Sequence, residues 1–328
     1  MALSPQDELQ KHLPLVSSGK VREIYEIDAQ HLLFVTTDRI SGNVCESSLD
    51  WVATDSLQAY DVIMNNVIEG KGAILTQLSE FWFQYLQSMM PSLRTHYVSI
   101  GLPPMVEDRL PPHVATKFQL HERSMVVRRL KVFPIESIVR GYITGSAWAS
   151  YQKDGTVCGI QLPAGLQESQ QFQRPIWTPS TKADLGGKDE NISSVEAARI
   201  VGKEYADQIE TLSLQIYHLA NAYAAERGII IADTKFEFGL DESTLPPTVV
   251  LIDEAITPDS SRFWNADNYK VGQGQDSYDK QYLRDWLSRN GLKGKEGVKM
   301  PNEVASNTLS RYKEAYRSLT GRSWFPAA

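Results

Sequence analysis

Cysteine is nearly missing from this chain: Cys45 and Cys158 are the only two in 328 residues. A disulfide-stapled scaffold is therefore excluded, and a reducing compartment is the expectation. Long apolar runs are missing too. No stretch approaches the roughly 18 residues that a bilayer-spanning helix needs. The opening residues, Met1 to Glu8, have neither the basic start nor the apolar stretch of a signal peptide. The six histidines are scattered, without HxH or HxxxH pairing, so zinc has no support. A basic excess is also missing: 33 Lys and Arg face 40 Asp and Glu, a net charge of −7. That speaks against a nucleic-acid surface, though not against a local basic pocket for phosphates. A cytoplasmic protein is expected, with no membrane or nucleic-acid partner, as a monomer or small homo-oligomer.

The composition that remains is that of a globular protein, 42% hydrophobic and 22% charged. The length suits two packed domains plus trimmings. Val21 to Thr37 reads as two strands, because "VREIYEI" alternates and "HLLFVTT" is apolar and β-branched. Ile74 to Met89 has apolar residues at three- and four-residue spacing and reads as a helix stopped by Pro91. "SMVVRRLKVF" reads as one strand, "IESIVRGYI" as another, and "SAWASYQKDG" as a short helix ended by Gly155. Ser193 with Glu196 forms a capping box before a helical stretch to Arg227, divided at Gly202. "IIIADTKFEFGL" and "TVVLIDEAI" read as a hairpin across "DESTLPP". Two amphipathic helices follow, "SYDKQYLRDWLSRN" and "NEVASNTLSRYKEAYRSLTG". The domains expected are a β-rich unit over 1–131, an α/β unit over 132–272, and C-terminal helices over 273–328. The fold class is thus mixed, α+β or α/β.

Four segments carry candidate chemistry. In "ADTKFEFG", residues two apart share a strand face, so Asp233, Lys235 and Glu237 point one way and Thr234, Phe236 and Phe238 the other. Charges on one strand face need a use or a solvent boundary. Asp253 closes the apolar run "VVLID". In a hairpin it can lie beside Glu237, and the two offer the hard oxygen ligands that Mg²⁺ prefers, with ATP phosphates completing the shell. In "SSGKVREIYEI", Gly19 allows close backbone approach, and Lys20 and Arg22 share a face. This is a phosphate-covering loop or a surface turn. In "VRGYITGSAW", Arg140 leaves a strand and Gly145-Ser146 opens a helix, an arrangement suited to an anion. The loop "TPSTKADLGGKDENIS" is polar and carries Thr181, Lys182, Asp184, Lys188 and Asp189.

In this order, these segments resemble the SAICAR synthetase (phosphoribosylaminoimidazole-succinocarboxamide synthase) family in its fungal-type form. "TTDRIS", "AYDVIMNN", "GKGAILTQLSEFWF", "IDEAITPDSSRFW" and "DKQYLRDWL" extend the likeness over nearly the whole chain. The resemblance implies an ATP domain like a kinase small lobe packed on an α/β domain. It implies an ATP-dependent ligase joining L-aspartate to the carboxylate of CAIR to give SAICAR, with ATP and Mg²⁺ as cofactors. It implies Gly19, Lys20, Val21, Arg22 and Val132 as ATP contacts, and Glu237 and Asp253 as metal-ATP carboxylates. Asp233, Lys235, Lys182 and Asp189 would lie near the reacting groups. Arg140, Ser146 and Arg262 would contact CAIR, with Arg284 at its phosphate; Asp259 is a further candidate contact or a structural turn residue. A small-molecule kinase and a non-catalytic binding relative are the rival readings. The first predicts a phosphorylated product without aspartate dependence, the second ATP binding without turnover.

Two departures stand out. The family often has His where Lys188 stands. Its "DRIS" also runs directly into "AYD", whereas residues 42–58 intervene here, with three acids and no Lys or Arg. Excising them restores "TTDRISAYDVIM" in frame. The insert begins with Gly and ends with Gln, whose codons accommodate GT and AG ends, so a translated intron or gene-model error is our hypothesis for its origin. An mRNA that encodes 42–58 throughout would overturn it.

Overall fold

A computed structural model describes residues 5–19, 21–43, 61–64, 66–182, 189–278, 281–292, 295 and 298–324. Two antiparallel sheets form its frame. The first has the order Leu15–Ser18, Arg22–Glu26, His31–Thr36, Ser124–Arg128, Tyr97–Ile100. Alternation sends its side chains to two cores. Leu33, Val35 and Val126 face a small cluster closed by Leu9, Leu13, Val106 and Leu120. Phe34, Met125 and Val127 face the large core.

The second sheet is built on one long strand, Ile229–Asp241, buried along nearly its whole length. It is flanked by two strands on each side. Ile135–Tyr142 and then Lys131–Val132 run along one edge, and Ser261–Asn265 and then Thr248–Ile252 along the other. Gln171–Trp177 and Ser180–Thr181 extend it beyond Ile135–Tyr142. Thr248–Ile252 pairs in hairpin register, with Glu237 opposite Ile252 and Asp241 opposite Thr248.

The helix Lys71–Met89 joins the two halves. Its Ile74, Leu78, Trp82 and Leu86 belong to one apolar cluster with Phe34 and Val127 of the first sheet, Phe236, Phe238 and Leu251 of the second, and Tyr312, Tyr316 and Leu319 of the C-terminal helix Asn302–Thr320. Each such side chain contributes about 1.5–3 kcal/mol on burial. The helices Ser194–Val201 and Lys203–Ala225 meet at Gly202, whose φ of 91° lies outside the range comfortable for other residues. The Ser193 hydroxyl accepts from the amide of Glu196, as the capping box requires.

Several elements differ from expectation. "SMVVRRLKVF" is two strands, Ser124–Arg128 and Lys131–Val132, which belong to different sheets. The expected boundary at 131 therefore falls inside a strand of the second sheet. Gln171–Trp177 hides behind Pro175, which a break in register accommodates. Ser261–Asn265 and Tyr97–Ile100 are too short and too polar at their starts to announce themselves. The C-terminal pair is present as Gln281–Arg289 and Asn302–Thr320. Of the inserted residues, only 42 and 43 are described, within the strand Ser41–Asn43, which pairs with Asp61–Ile63. The rest of 42–58, with Cys45, lies outside the described residues.

Candidate active site

The long strand orders the site by placing Asp233 between two arginines. In register, Asp233 faces Arg140 on one neighbouring strand and Arg262 on the other. Opposite charges directly across a sheet attract. Asp233 Oδ2 accepts from Arg140 Nη1 at 3.3 Å and from Arg262 Nη1. All three side chains are buried or nearly so. Burial pulls the Arg140 guanidinium below its ordinary pKa, and the adjacent Arg262 adds to this against the opposing pull of Asp233. Arg140 also donates to Thr178 Oγ1 at 2.9 Å and to Ser146 Oγ at 3.2 Å. Gly145 sits at φ 56°, and a Cβ there would come within 2.5 Å of Arg262 Nη2. Glycine is therefore what lets the helix start approach the guanidinium. Thr144, Gly145 and Arg262 open onto a cavity of about 510 Å³, closed from the C-terminal side by Tyr282, Arg289 and Arg311.

Two residues along the strand, about 7 Å at the usual rise, a second charged group begins. Lys235 Nζ donates to Glu136 Oε1 at 2.6 Å and Glu237 Oε1 at 3.1 Å. Lys182 Nζ donates to Glu237 Oε2 at 2.6 Å. Burial would raise the Glu237 carboxyl, but Lys235 and Lys182 outweigh it and hold the pKa down at about 2. Burial alone would lower Lys235, yet Glu136, Glu237 and Asp253 raise its pKa well above the ordinary lysine value. Glu136 is pushed up, first by burial and then by Glu237 and Asp189, against the pull of Lys235.

Asp253 follows the hairpin strand with a left-handed φ of 64°, which turns it away from the sheet. Its carboxylate accepts from Arg22, which also lies 3.6 Å from Glu254. Arg22 stands at the start of its strand, beside the turn in which Gly19 N donates to Arg22 O at 2.7 Å. Gly19 O in turn accepts from Arg39 at 2.9 Å, and Val21 O accepts from the amide of Thr37. Val132 is half exposed and pairs through its backbone with Gly239. His96 Nε2 lies 3.2 Å from Asp253 O, and burial drives its pKa down to about 4.

The structure thus brings together Arg140, Ser146, Asp233 and Arg262 as one group, and Lys182, Lys235 and Glu237 as another, with Arg22 and Asp253 beside it. Asp189 is buried within electrostatic reach of Glu136. Two expected residues are placed by other contacts, Asp259 within electrostatic reach of Arg22 and Glu254. Asp259 accepts from Lys71 Nζ and Tyr312 Oη, each at 2.7 Å, with a side chain only 1% exposed. Arg284 lies on Gln281–Arg289, but the cavity is faced by Tyr282, Asp285 and Arg289 of that helix. Lys20, Asp184 and Lys188 lie outside the described residues. Sequence reasoning passed over Glu136, whose signal was a lone acid inside the apolar run "IESIV". Glu254, Thr178 and His96 carried no distinctive pattern.

The model of a family described as SAICAR synthetase matches residues 44–301. The chain belongs to that family. It is 54% identical over 325 residues to the phosphoribosylaminoimidazole-succinocarboxamide synthase of Cyberlindnera jadinii, covering 97% of this chain and 98% of that protein. It is 52% identical over 320 residues to the enzyme of the same name from Saccharomyces cerevisiae, covering 97% of each. Among solved structures, SAICAR-synthase from Saccharomyces cerevisiae complexed with SAICAR superposes with a TM-score of 0.82 at 51% identity, covering 97% of this chain and 98% of that one. A type-2 SAICAR synthetase in complex with ADP, at 23% identity and a TM-score of 0.63, covering 94% of this chain and 98% of that one, shares the fold. This likeness agrees with the mixed α and β architecture expected from the sequence.

Proposed function

We propose that the chain joins L-aspartate to the carboxylate of CAIR, converting ATP to ADP and phosphate and giving SAICAR. The observation that carries this reading is the charge order on strand Ile229–Asp241. An arginine-rich pocket at Asp233 gives way to the Lys235–Glu237–Lys182 cluster and the Arg22–Asp253 pair. That order suits a substrate with a phosphate at one end and a carboxylate to be activated at the other.

A carboxylate resists an amine because it is anionic and lacks a leaving group. The γ-phosphoryl group moves to a carboxylate oxygen of CAIR, forming an acyl phosphate and ADP. The aspartate nitrogen then bonds to the acyl carbon, the carbon–oxygen bond to phosphate breaks, and the amine gives up a proton. Positioning and charge neutralisation dominate such a step. Arg140, Ser146 and Arg262 grip the substrate phosphate. Lys235 and Lys182, both held cationic by their acidic neighbours, orient the carboxylate and offset charge on the transferring group. Arg22 and the turn at Gly19 cover the nucleotide phosphates, with the backbone at Val132 beside the base.

Glu237 and Asp253 are the residues that would hold Mg²⁺. Glu237 fits that role because its neighbouring ammonium groups keep it ionised, and carboxylate oxygens suit a hard cation. Among the described residues no group of three or more metal-type side chains gathers, which matches a cation completed by nucleotide phosphates rather than a protein cage. When bound, it would neutralise phosphate oxygens during transfer. Among the described residues no helix is long and apolar enough to cross a membrane.

The test is ADP release by purified protein with CAIR labelled by ¹⁸O in its carboxylate. Release should require both CAIR and aspartate, and one labelled oxygen should emerge in inorganic phosphate. A stable phosphorylated product without aspartate dependence would instead make the protein a small-molecule kinase.

A further inference from the structure

We infer that Glu136 is the positioning residue for Lys235, holding its ammonium in place while Glu237 changes partners. The inference rests on the ligase reading and deepens it. Glu136 is fully buried on Ile135–Tyr142, and both its oxygens are engaged. Oε1 accepts from Lys235 at 2.6 Å and Oε2 from Ser180 Oγ at 3.0 Å. Ser180 is itself buried and bridges through its backbone to Asn191, at the stem of the segment that carries Lys182 and Asp189. Glu136 is thus tied to a rigid sheet on one side and meets the charged cluster on the other.

Lys235 needs such an anchor. A lysine is a point charge on a flexible four-carbon stem. Its second acceptor, Glu237 at 3.1 Å, is shared with Lys182 and is the carboxylate we assign to metal and nucleotide. Once Glu237 serves a cation, its hold on Lys235 weakens. Glu136 has no bond to Lys182 among the described contacts, and its shorter bond to Lys235 at 2.6 Å does not depend on that exchange. Without the charge on Glu136, Lys235 would be drawn to Glu237 alone and would compete with the cation for it. The buried acid therefore does two things through one lysine: it keeps Glu237 available, and it fixes the ammonium beside the reacting carboxylate.

A double-mutant cycle tests this with Glu136→Gln, Lys235→Met and the combined variant. Glutamine preserves the shape and the Ser180 hydrogen bond. The combined variant removes both charges, so neither is left buried and unpaired. Binding of MgADP is read by calorimetry, which needs neither CAIR nor aspartate. Glu136→Gln should raise the MgADP Kd about tenfold, the scale of one charge-assisted partner. It should also lower kcat by a larger factor than it raises KM for CAIR. In the Lys235→Met background, the same change should alter Kd less than about twofold. An unchanged Kd in the single variant, or an equal loss in both backgrounds, would overturn the role of Glu136. Failure of aspartate-dependent turnover by the unmodified protein would instead sink the ligase reading.

Discussion

Glu237 answers to two lysines and, in the proposed reaction, to a metal and its nucleotide. With Lys182 and Lys235 holding it at about pKa 2, it remains a carboxylate throughout the working range. Glu237→Gln keeps the shape and removes the charge. We expect kcat/KM to fall about 10² or more, the scale of losing one key electrostatic group. Steady-state kinetics at saturating CAIR and aspartate checks this, and near-normal activity would remove Glu237 from the site. At this scale the sequence was informative wherever charges repeat along a strand. Asp233, Lys235 and Glu237 follow from a period of two. Their partners were less legible. Nothing local shows that Arg140 and Arg262 flank the same carboxylate, because that depends on the register of three strands distant in sequence. From sequence, Asp259 is open between a substrate contact and a structural turn role, and its contacts to Lys71 and Tyr312 depend on elements distant in sequence.

Among elements, that Asp259 contact fastens three pieces: the turn before Ser261–Asn265, the start of Lys71–Met89 and the helix Asn302–Thr320. Removing one partner of a buried ion pair leaves the other uncompensated. Asp259→Ala should therefore lower stability by about 3–5 kcal/mol, with KM for CAIR little affected. Urea unfolding beside a CAIR titration distinguishes this from a substrate contact, which would move KM and spare stability. The strand pair Ser41–Asn43 and Asp61–Ile63 contains the first two inserted residues and brackets the rest. A variant joining Ser41 directly to Ala59 should fold and match or exceed the full chain in kcat/KM, as aspartate-dependent ADP release would show. Lower activity would mark the insert as a working part. Helices and hairpins were readable here because caps, glycines and periodicity are local signals. Gln171–Trp177 was not, since it owes its extended form to neighbours rather than to its own residues, and the break that sends Lys131–Val132 to a different sheet from Ser124–Arg128 leaves no local mark.

The whole molecule meets at His96. Its ring packs edge-on against Phe34 of the first sheet and Phe83 of the joining helix, at 5.4 and 5.6 Å, and its Nε2 reaches Asp253 O of the second sheet. Burial lowers its pKa to about 4 from an ordinary 6.5. The unfolded chain thus binds this proton more readily than the folded one. The contribution of neutral His96 to stability is complete above pH 6.5 and falls as pH drops towards 4, by about 3 kcal/mol in all. Urea unfolding between pH 6.5 and 5, before most carboxylates titrate, should show the decline. His96→Gln should flatten it, and an equal slope in both proteins would exclude His96 as the cause.

The unbroken apolar cluster through Lys71–Met89 also bears on inheritance. Because both sheets and the helix Lys71–Met89 share one cluster, a substitution in one half alters the surface that the other packs against. Shuffling one half between relatives should succeed only when the helix travels with the partners that shaped it.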